Sequence, residues 1–357
     1  EDGESFNFSW NTFTQFGCKT PTKANYASWA DFHAEICEDA EAEGVTTLEI
    51  RFAPQLHTHR HLSTMQVLKA VNRGLRKARD EFNQRTEVKN GKEPEFEYGI
   101  ICCAMRMFRE NFSEYYGNIL RAHQYAPQKQ VFGMASLELA RAAVSARDDY
   151  GLPIVGFDLA GEESGYPADD HAEAYHFAHR NFLKKTVHAG EAYGPESIFI
   201  AITELQTDRI GHGISLLSPE LIRDPNIVDK DEYVEKLAEY VADRRITLEV
   251  CLTSNMQTDP QLNDLSQHSF RLLRENRLST TLCTDNRTVS HTTVTKEILL
   301  AVEHLALSAV DLKSIIIYGF KRSFFPGSYI TKRAYVRKII DYYEHVENQF
   351  RKRQGKQ

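Results

Sequence analysis

Five short polar runs each follow an apolar stretch in this sequence. They are Asp158-Leu-Ala-Gly161-Glu162-Glu163, His188-Ala-Gly-Glu191, Arg209-Ile-Gly-His212-Gly213, Cys251-Leu-Thr-Ser254-Asn255 and Thr284-Asp285-Asn286-Arg287. Each is weak evidence alone, because a single histidine at a strand end is more often a hydrogen-bonded structural residue than a ligand. Two histidines, a glutamate and an aspartate at the same end of successive strands are hard to assign to packing, since charged groups are rarely buried without partners. Imidazoles and carboxylates converging on one mouth could bind a metal ion and carry out acid–base chemistry.

The elements that must position these residues alternate along the chain. Trp29, Phe32, Ile36 and Ala40 recur at helical spacing and predict a helix over 29–43, with Gly44 where a C-terminal cap belongs. A strand with alternating Leu48, Ile50 and Phe52 follows, then an amphipathic helix over 63–82. The run Ile100, Ile101, Cys102, Cys103 predicts a strand over 98–105 buried on both faces. Helix 137–148 leads to strand 154–159, helix 170–181 to strand 185–188, helix 196–205 to strand 209–212, helix 233–241 to strand 247–251 and helix 270–275 to strand 280–284. The tail from Lys296 is mostly helical, and 351–357 is a solvated basic end. Seven strands alternating with helices predict a parallel sheet, specifically an α/β (β/α)8 TIM-type barrel with one strand missing. In such barrels chemistry lies at the C-terminal ends of the strands, where the five polar runs fall.

Composition narrows the function. A chain of 357 residues with 41% hydrophobic residues can bury a sizeable core, and its length suits one barrel domain spanning 1–357. A net charge of −7 argues against a reader of phosphate backbones, and the absence of a long apolar run argues against a membrane span. The cysteines at 18, 37, 102, 103, 251 and 283 have no metal-finger or CxxC spacing. They read as reduced thiols, mostly core filler, in a cytoplasmic protein.

The motifs DLAGEE, HAGE, RIGHG, CLTSN and TDN, in this order and spacing, resemble the adenosine deaminase family, and RFAPQLH at 51–57 matches it too. The resemblance runs from about Phe13 to the C-terminal helices. It implies zinc-dependent hydrolytic deamination of adenosine and 2′-deoxyadenosine, with one zinc ion as cofactor and a purine nucleoside and water as partners. Water must become a nucleophile near neutral pH, which a bound zinc promotes by lowering its pKa to about 7. By this resemblance His188 and Asp285 are zinc ligands. Glu191 protonates the ring nitrogen beside the attacked carbon, a step that favours a carboxyl with a raised pKa. His212 orients the water and stabilises the developing oxyanion, and Asp285 can also accept the water's proton. Gly161 brings its backbone N–H to the purine edge, where a side chain would be in the way.

Two departures from the family pattern matter. Where many members carry a second aspartate, this chain has Asn286, whose amide donates a hydrogen bond without needing a proton, so it is retained as a substrate contact. The family also supplies two zinc ligands from a His-x-His pair ending the first barrel strand, and that strand is absent here. His57 and His59 imitate the pair but follow RFAP, which matches the end of the second strand, so the polar-loop reading outweighs the ligand reading. The expectation is a barrel missing its first strand, through truncation or through supply of that strand from elsewhere, with extra C-terminal helices.

Other polar residues carry blander readings. Glu162 and Glu163 could form a carboxylate pair, but a cap on the next helix or a place at the entrance outweighs that reading. His171, His176 and His179 form a solvated helix face. Ser254 and Asn255 brace the site. No nucleophile elbow, phosphate loop, dinucleotide fingerprint or nucleic-acid-deaminase signature is present. The competing functions are deamination of adenine, AMP or a modified adenosine, and a non-catalytic homologue.

Overall fold

The computed structural model describes residues 37–260, 262–287 and 289–354. Seven strands form one parallel sheet in chain order: β1 (Thr47–Phe52), β2 (Glu97–Met105), β3 (Ile154–Ala160), β4 (Lys184–Ala189), β5 (Arg209–His212), β6 (Thr247–Val250) and β7 (Ser279–Leu282). This is the expected α/β arrangement, and the order leaves β1 and β7 as the two edges among the described residues. The predicted helix over 29–43 falls partly outside the described residues. Residues 37–42 are helical, and Gly44 ends them at φ +79°.

Helices separate successive strands: α1 (Thr64–Asn83), α2 (Glu114–Ala122), α3 (Gln128–Asp148), α4 (Ala172–Arg180), α5 (Pro195–Thr203), α6 (Lys230–Arg244), α7 (Leu252–Thr258) and α8 (Phe270–Glu275). Three more follow β7: α9 (Val294–His304), α10 (Ala309–Arg322) and α11 (Tyr329–Gln354). Local chemistry sets their starts. Ser63 and Gln66 form a reciprocal capping box ahead of α1, with the Gln66 side chain accepting from the Ser63 N–H at 2.8 Å. The stripe Val67, Leu68, Val71, Leu75, Ala78 and Phe82 then faces the sheet. Helix α3 begins nine residues before its predicted start of Leu137, because Val131, Phe132 and Ala135 also bury a face there.

Strand β2 is buried on both faces, as its unbroken apolar run predicts. Ile100 and Cys102 pack in the main core, whereas Ile101 packs with Val155 and Phe324. Phe324, just after α10, closes the floor of the sheet's concave side. A β-carbon on Gly156 would lie 2.7 Å from its ring, and the Arg209 guanidinium stacks 3.6 Å from its centroid. Cys37, Cys102, Cys103 and Cys251 are buried free thiols, Cys283 is partly exposed, and Cys18 lies outside the described residues. Burial alone raises Cys102 to about 12, which suits core filler rather than a reactive thiolate.

Candidate functional site

The concave side of the sheet carries an unbroken run of charges. Glu49 on β1 pairs with Arg209 on β5 at 2.6 Å, and Arg209 pairs with Glu249 on β6 at 2.5 Å. Glu249 also binds Arg51 on β1, whose guanidinium lies 3.5 Å from Asp158 on β3. Asp158 stands 3.1 Å from Nδ1 of His188 on β4. Burial opposes the charges of Arg51 and Glu249, yet their partners win: Arg51 rises well above its ordinary value under Glu249 and Asp158, and Glu249 falls below its own under Arg209 and Arg51. Asp158 is fully buried, and burial by itself would raise its carboxyl. His188 and Arg51 reverse that effect and hold it well below the usual carboxylate range.

Above this network a cavity of about 1300 Å³ opens along the β1–β7 gap. His188, Glu191, His212, Asp285, Gly161 and Asn286 all line it. The structure therefore brings together every site residue expected from sequence, from the ends of β3, β4, β5 and β7. His188 and His212 rings lie 5.3 Å apart, and the Glu191 carboxylate is 3.4 Å from His212 Nε2 and accepts from Thr258 Oγ1 at 3.0 Å. Two of these residues occupy left-handed backbone, His212 at φ +62° and Asp285 at φ +49°, conformations that cost non-glycine residues about 1–3 kcal/mol each. Their surroundings hold them there. Ser254 Oγ donates to Asp285 Oδ2 at 2.8 Å and the Asn255 amide meets His212 Nδ1 at 3.0 Å, so this pair does brace the site.

The turn bearing Glu191 depends on glycine. Gly190 lies at φ +70°, and a β-carbon there would sit 2.5 Å from Ile198 Cδ1 and 2.9 Å from Ser215 Oγ. Gly161 lies at φ +111°, beyond the end of β3.

Glu163 does not cap the helix that follows it. Its carboxylate instead accepts from four successive backbone N–H groups, Gly190 at 2.8 Å, Glu191 at 3.2 Å, Ala192 at 2.7 Å and Tyr193 at 3.1 Å, and from the Ser197 hydroxyl on α5. Successive backbone N–H groups form an anion nest, and here the anion belongs to the chain itself. Burial raises this carboxyl, but Ser197, Arg106 and the nest outweigh it and the net shift is downward. Buried Arg106 grips the other side of the turn, donating to the His188 carbonyl at 2.5 Å and to the Tyr166 carbonyl at 2.8 Å. His171 is also a correction: it is buried, not solvated. It ends a 3-10 turn ahead of α4, and its Nδ1 lies 2.7 Å from Ser136 Oγ on α3. His176 and His179 are exposed as expected.

Sequence reading assigned no role to Asp158, Arg106 or the Arg51–Glu249 pair, and it gave Glu163 a capping or entrance role in place of the turn it holds. A charged residue inside the apolar strand Ile154–Ala160 was the available signal for Asp158, since only a paired charge survives such burial.

Two side chains lining the cavity, His188 and Asp285, are of types that can bind a metal ion. Nδ1 of His188 faces Asp158, which leaves Nε2 to bind a metal, and a carboxylate behind a ligating imidazole is the usual supporting arrangement. Asp285 offers its second oxygen. No group of three or more His, Cys, Asp or Glu side chains placed to hold an ion occurs among the described residues. His57 ends a 3-10 turn and His59 bridges to Leu62, in the loop position favoured from sequence. No helix among the described residues is long and apolar enough to cross a membrane.

Comparison with known proteins gives a consistent result. The family model described as adenosine deaminase matches residues 23–342. Adenosine deaminase 1 of Streptomyces coelicolor is 32% identical over 293 residues, which cover 82% of this chain and 64% of that protein. The chain thus spans just under two thirds of that relative's length. The adenosine deaminase of Mycobacteroides abscessus is 33% identical over 294 residues, covering 82% of this chain and 70% of that one. Among solved structures, an Arabidopsis N6-mAMP deaminase superposes with a TM-score of 0.65 at 23% identity, over 88% of this chain and 78% of its own. A zinc-bound amidohydrolase from Burkholderia ambifaria superposes with a TM-score of 0.67 at 18% identity, over 90% and 75%. The likeness to these two establishes the fold.

Proposed function

The chain belongs to the adenosine deaminase family, and from that premise we propose that the protein deaminates adenosine and 2′-deoxyadenosine hydrolytically. Water adds to the amine-bearing ring carbon, ammonia leaves, and inosine or 2′-deoxyinosine remains. The observation that carries this reading is the convergence of Glu191, His212, His188 and Asp285 on one cavity, with Glu191 and His212 in mutual reach.

Glu191 is the proton carrier: it delivers a proton to the ring nitrogen next to the attacked carbon, and Thr258 fixes the carboxylate's direction. His212 holds the incoming water and then the oxygen that becomes negative. Gly161 and Asn286 contact the purine edge, the first through its backbone and the second through its amide. His188 and Asp285 would hold a zinc ion, together with ligands from outside the described residues. When bound, zinc supplies a water ionisable near neutral pH.

The charge of the cavity favours a nucleoside over a nucleotide. Among the described residues that line it, Arg51, Arg209 and Arg287 are each paired with a carboxylate, while Glu162 adds negative charge. A phosphate would meet repulsion there.

The test is turnover by the full-length protein of adenosine, 2′-deoxyadenosine, adenine and AMP, followed by the ultraviolet change on loss of the amine. Adenosine and deoxyadenosine are expected to react, and AMP to react at least tenfold more slowly. Glu191→Gln is expected to abolish turnover with zinc content unchanged. A zinc-free wild type that leaves all four spectra unaltered refutes the reading.

A further inference from the structure

We infer that His212 carries its proton on Nε2, and that Asn255 and His268 are positioning residues that impose this tautomer from the backbone N–H of Phe270. Donors and acceptors run in a chain from Phe270 to His212, and each link admits one arrangement. Phe270 N lies 3.0 Å from His268 Nδ1. A backbone N–H can only donate, so His268 Nδ1 is a lone pair and the ring's proton sits on Nε2. That Nε2 is 3.3 Å from Asn255 Oδ1, which can only accept. The other end of the amide, Nδ2, faces His212 Nδ1 at 3.0 Å and can only donate. His212 Nδ1 is therefore a lone pair, and the proton is left on Nε2, 3.4 Å from Glu191 Oε2 on the cavity side.

The reverse orientation of Asn255 is disfavoured physically. It would set the amide N–H against the His268 N–H, two donors face to face with no water to separate them. His212, Asn255 and His268 are 3%, 0% and 2% exposed, so a mismatch there would cost each group a hydrogen bond that nothing replaces. Burial, the largest influence on His268, pulls it down to about 4 and keeps its second nitrogen unprotonated around neutral pH. The backbone assists from both sides: Asn255 is anchored by its N–H to the Cys251 carbonyl at 2.8 Å, and His212 is turned inward by its left-handed φ of +62°.

The consequence rests on the deaminase reading. A donor, not a lone pair, faces the substrate at His212. Such a group steadies a bound water and the oxygen that grows negative, and it leaves proton delivery to Glu191.

Nitrogen-15 NMR of the full-length protein labelled in histidine tests the tautomer without reference to activity. Both His212 and His268 are expected to show the Nε2–H pattern. Asn255→Leu is expected to release His212 to a mixture or to the Nδ1–H form, with kcat falling at least 30-fold and KM changing less than threefold. His268→Gln, whose amide can accept from Phe270 and donate to Asn255, is expected to keep the His212 pattern and at least a third of wild-type kcat, whereas His268→Leu loses both. An Nδ1–H signal for His212 in the wild type overturns the inference, as does an Asn255→Leu spectrum equal to wild type. Should Asn255→Leu fail to fold, the His268 pair decides by the same criteria. Should the wild type leave adenosine unchanged, the function reading falls and the spectra alone decide the tautomer.

Discussion

The Asp158 carboxylate and Nδ1 of His188 face each other at 3.1 Å from adjacent strands, with Asp158 wholly buried. Asp158 thereby orients the imidazole and directs its second nitrogen toward the cavity. Asp158→Asn keeps the shape and removes the charge. For the full-length protein, zinc affinity is expected to fall about 10–100-fold, the usual effect of losing a supporting carboxylate. Competition against a chelator reads this directly, and an unchanged affinity would remove Asp158 from that role.

Glu163 holds the 190–193 turn by four backbone N–H groups. Glu163→Gln replaces one acceptor oxygen by an amide N–H that points at other N–H groups. Amide hydrogen exchange at Glu191, Ala192 and Tyr193 is expected to speed up about 100-fold, because a lost charge-assisted network of roughly 3 kcal/mol corresponds to that factor. Exchange at wild-type rates would show that the turn stands without its internal anion.

Glu249 lies between Arg209 and Arg51 beneath the cavity. Glu249→Leu leaves two guanidinium groups short of a partner in the interior. Removing one side of such a buried arrangement costs about 3–5 kcal/mol. Urea unfolding followed by far-ultraviolet circular dichroism measures it, and a loss below about 1 kcal/mol would contradict the pairing.

Burial, with Arg106 adding like-charge repulsion, lowers His171 from 6.5 to about 3. The unfolded chain therefore takes up this proton at higher pH than the folded one. Stability from His171 is fully present above about pH 6.5 and is lost as pH falls toward 3. Between pH 7 and 5 the wild type is expected to lose about 2 kcal/mol through this group. His171→Gln removes that slope. Equal slopes for the two proteins in urea titrations at both pH values would count against a buried, unprotonated His171.

The sequence alone carried the frame and the positions of the chemistry. Strict alternation of apolar runs with 3.6-residue stripes determines seven parallel strands, because only that order buries both element types. A parallel sheet then puts every strand's C-terminal end on one side, so the order of strands alone places His188, His212, Asp285 and Gly161 at a common mouth. What the tertiary structure decided is which polar group meets which. Asp158 and His188 are 30 residues apart, Glu163 reaches a turn 27 residues downstream, and Glu249 pairs with an arginine 198 residues away. Such pairings depend on the curvature and register of the sheet, which set the facing side chains across the concave interior. A local pattern carries no information on them. The same holds for His171, which follows Asp169 and Asp170 in the chain and whose partner Ser136 is brought up by α3. Helical periodicity could say that the residue lies near a helix start, and only packing made it interior.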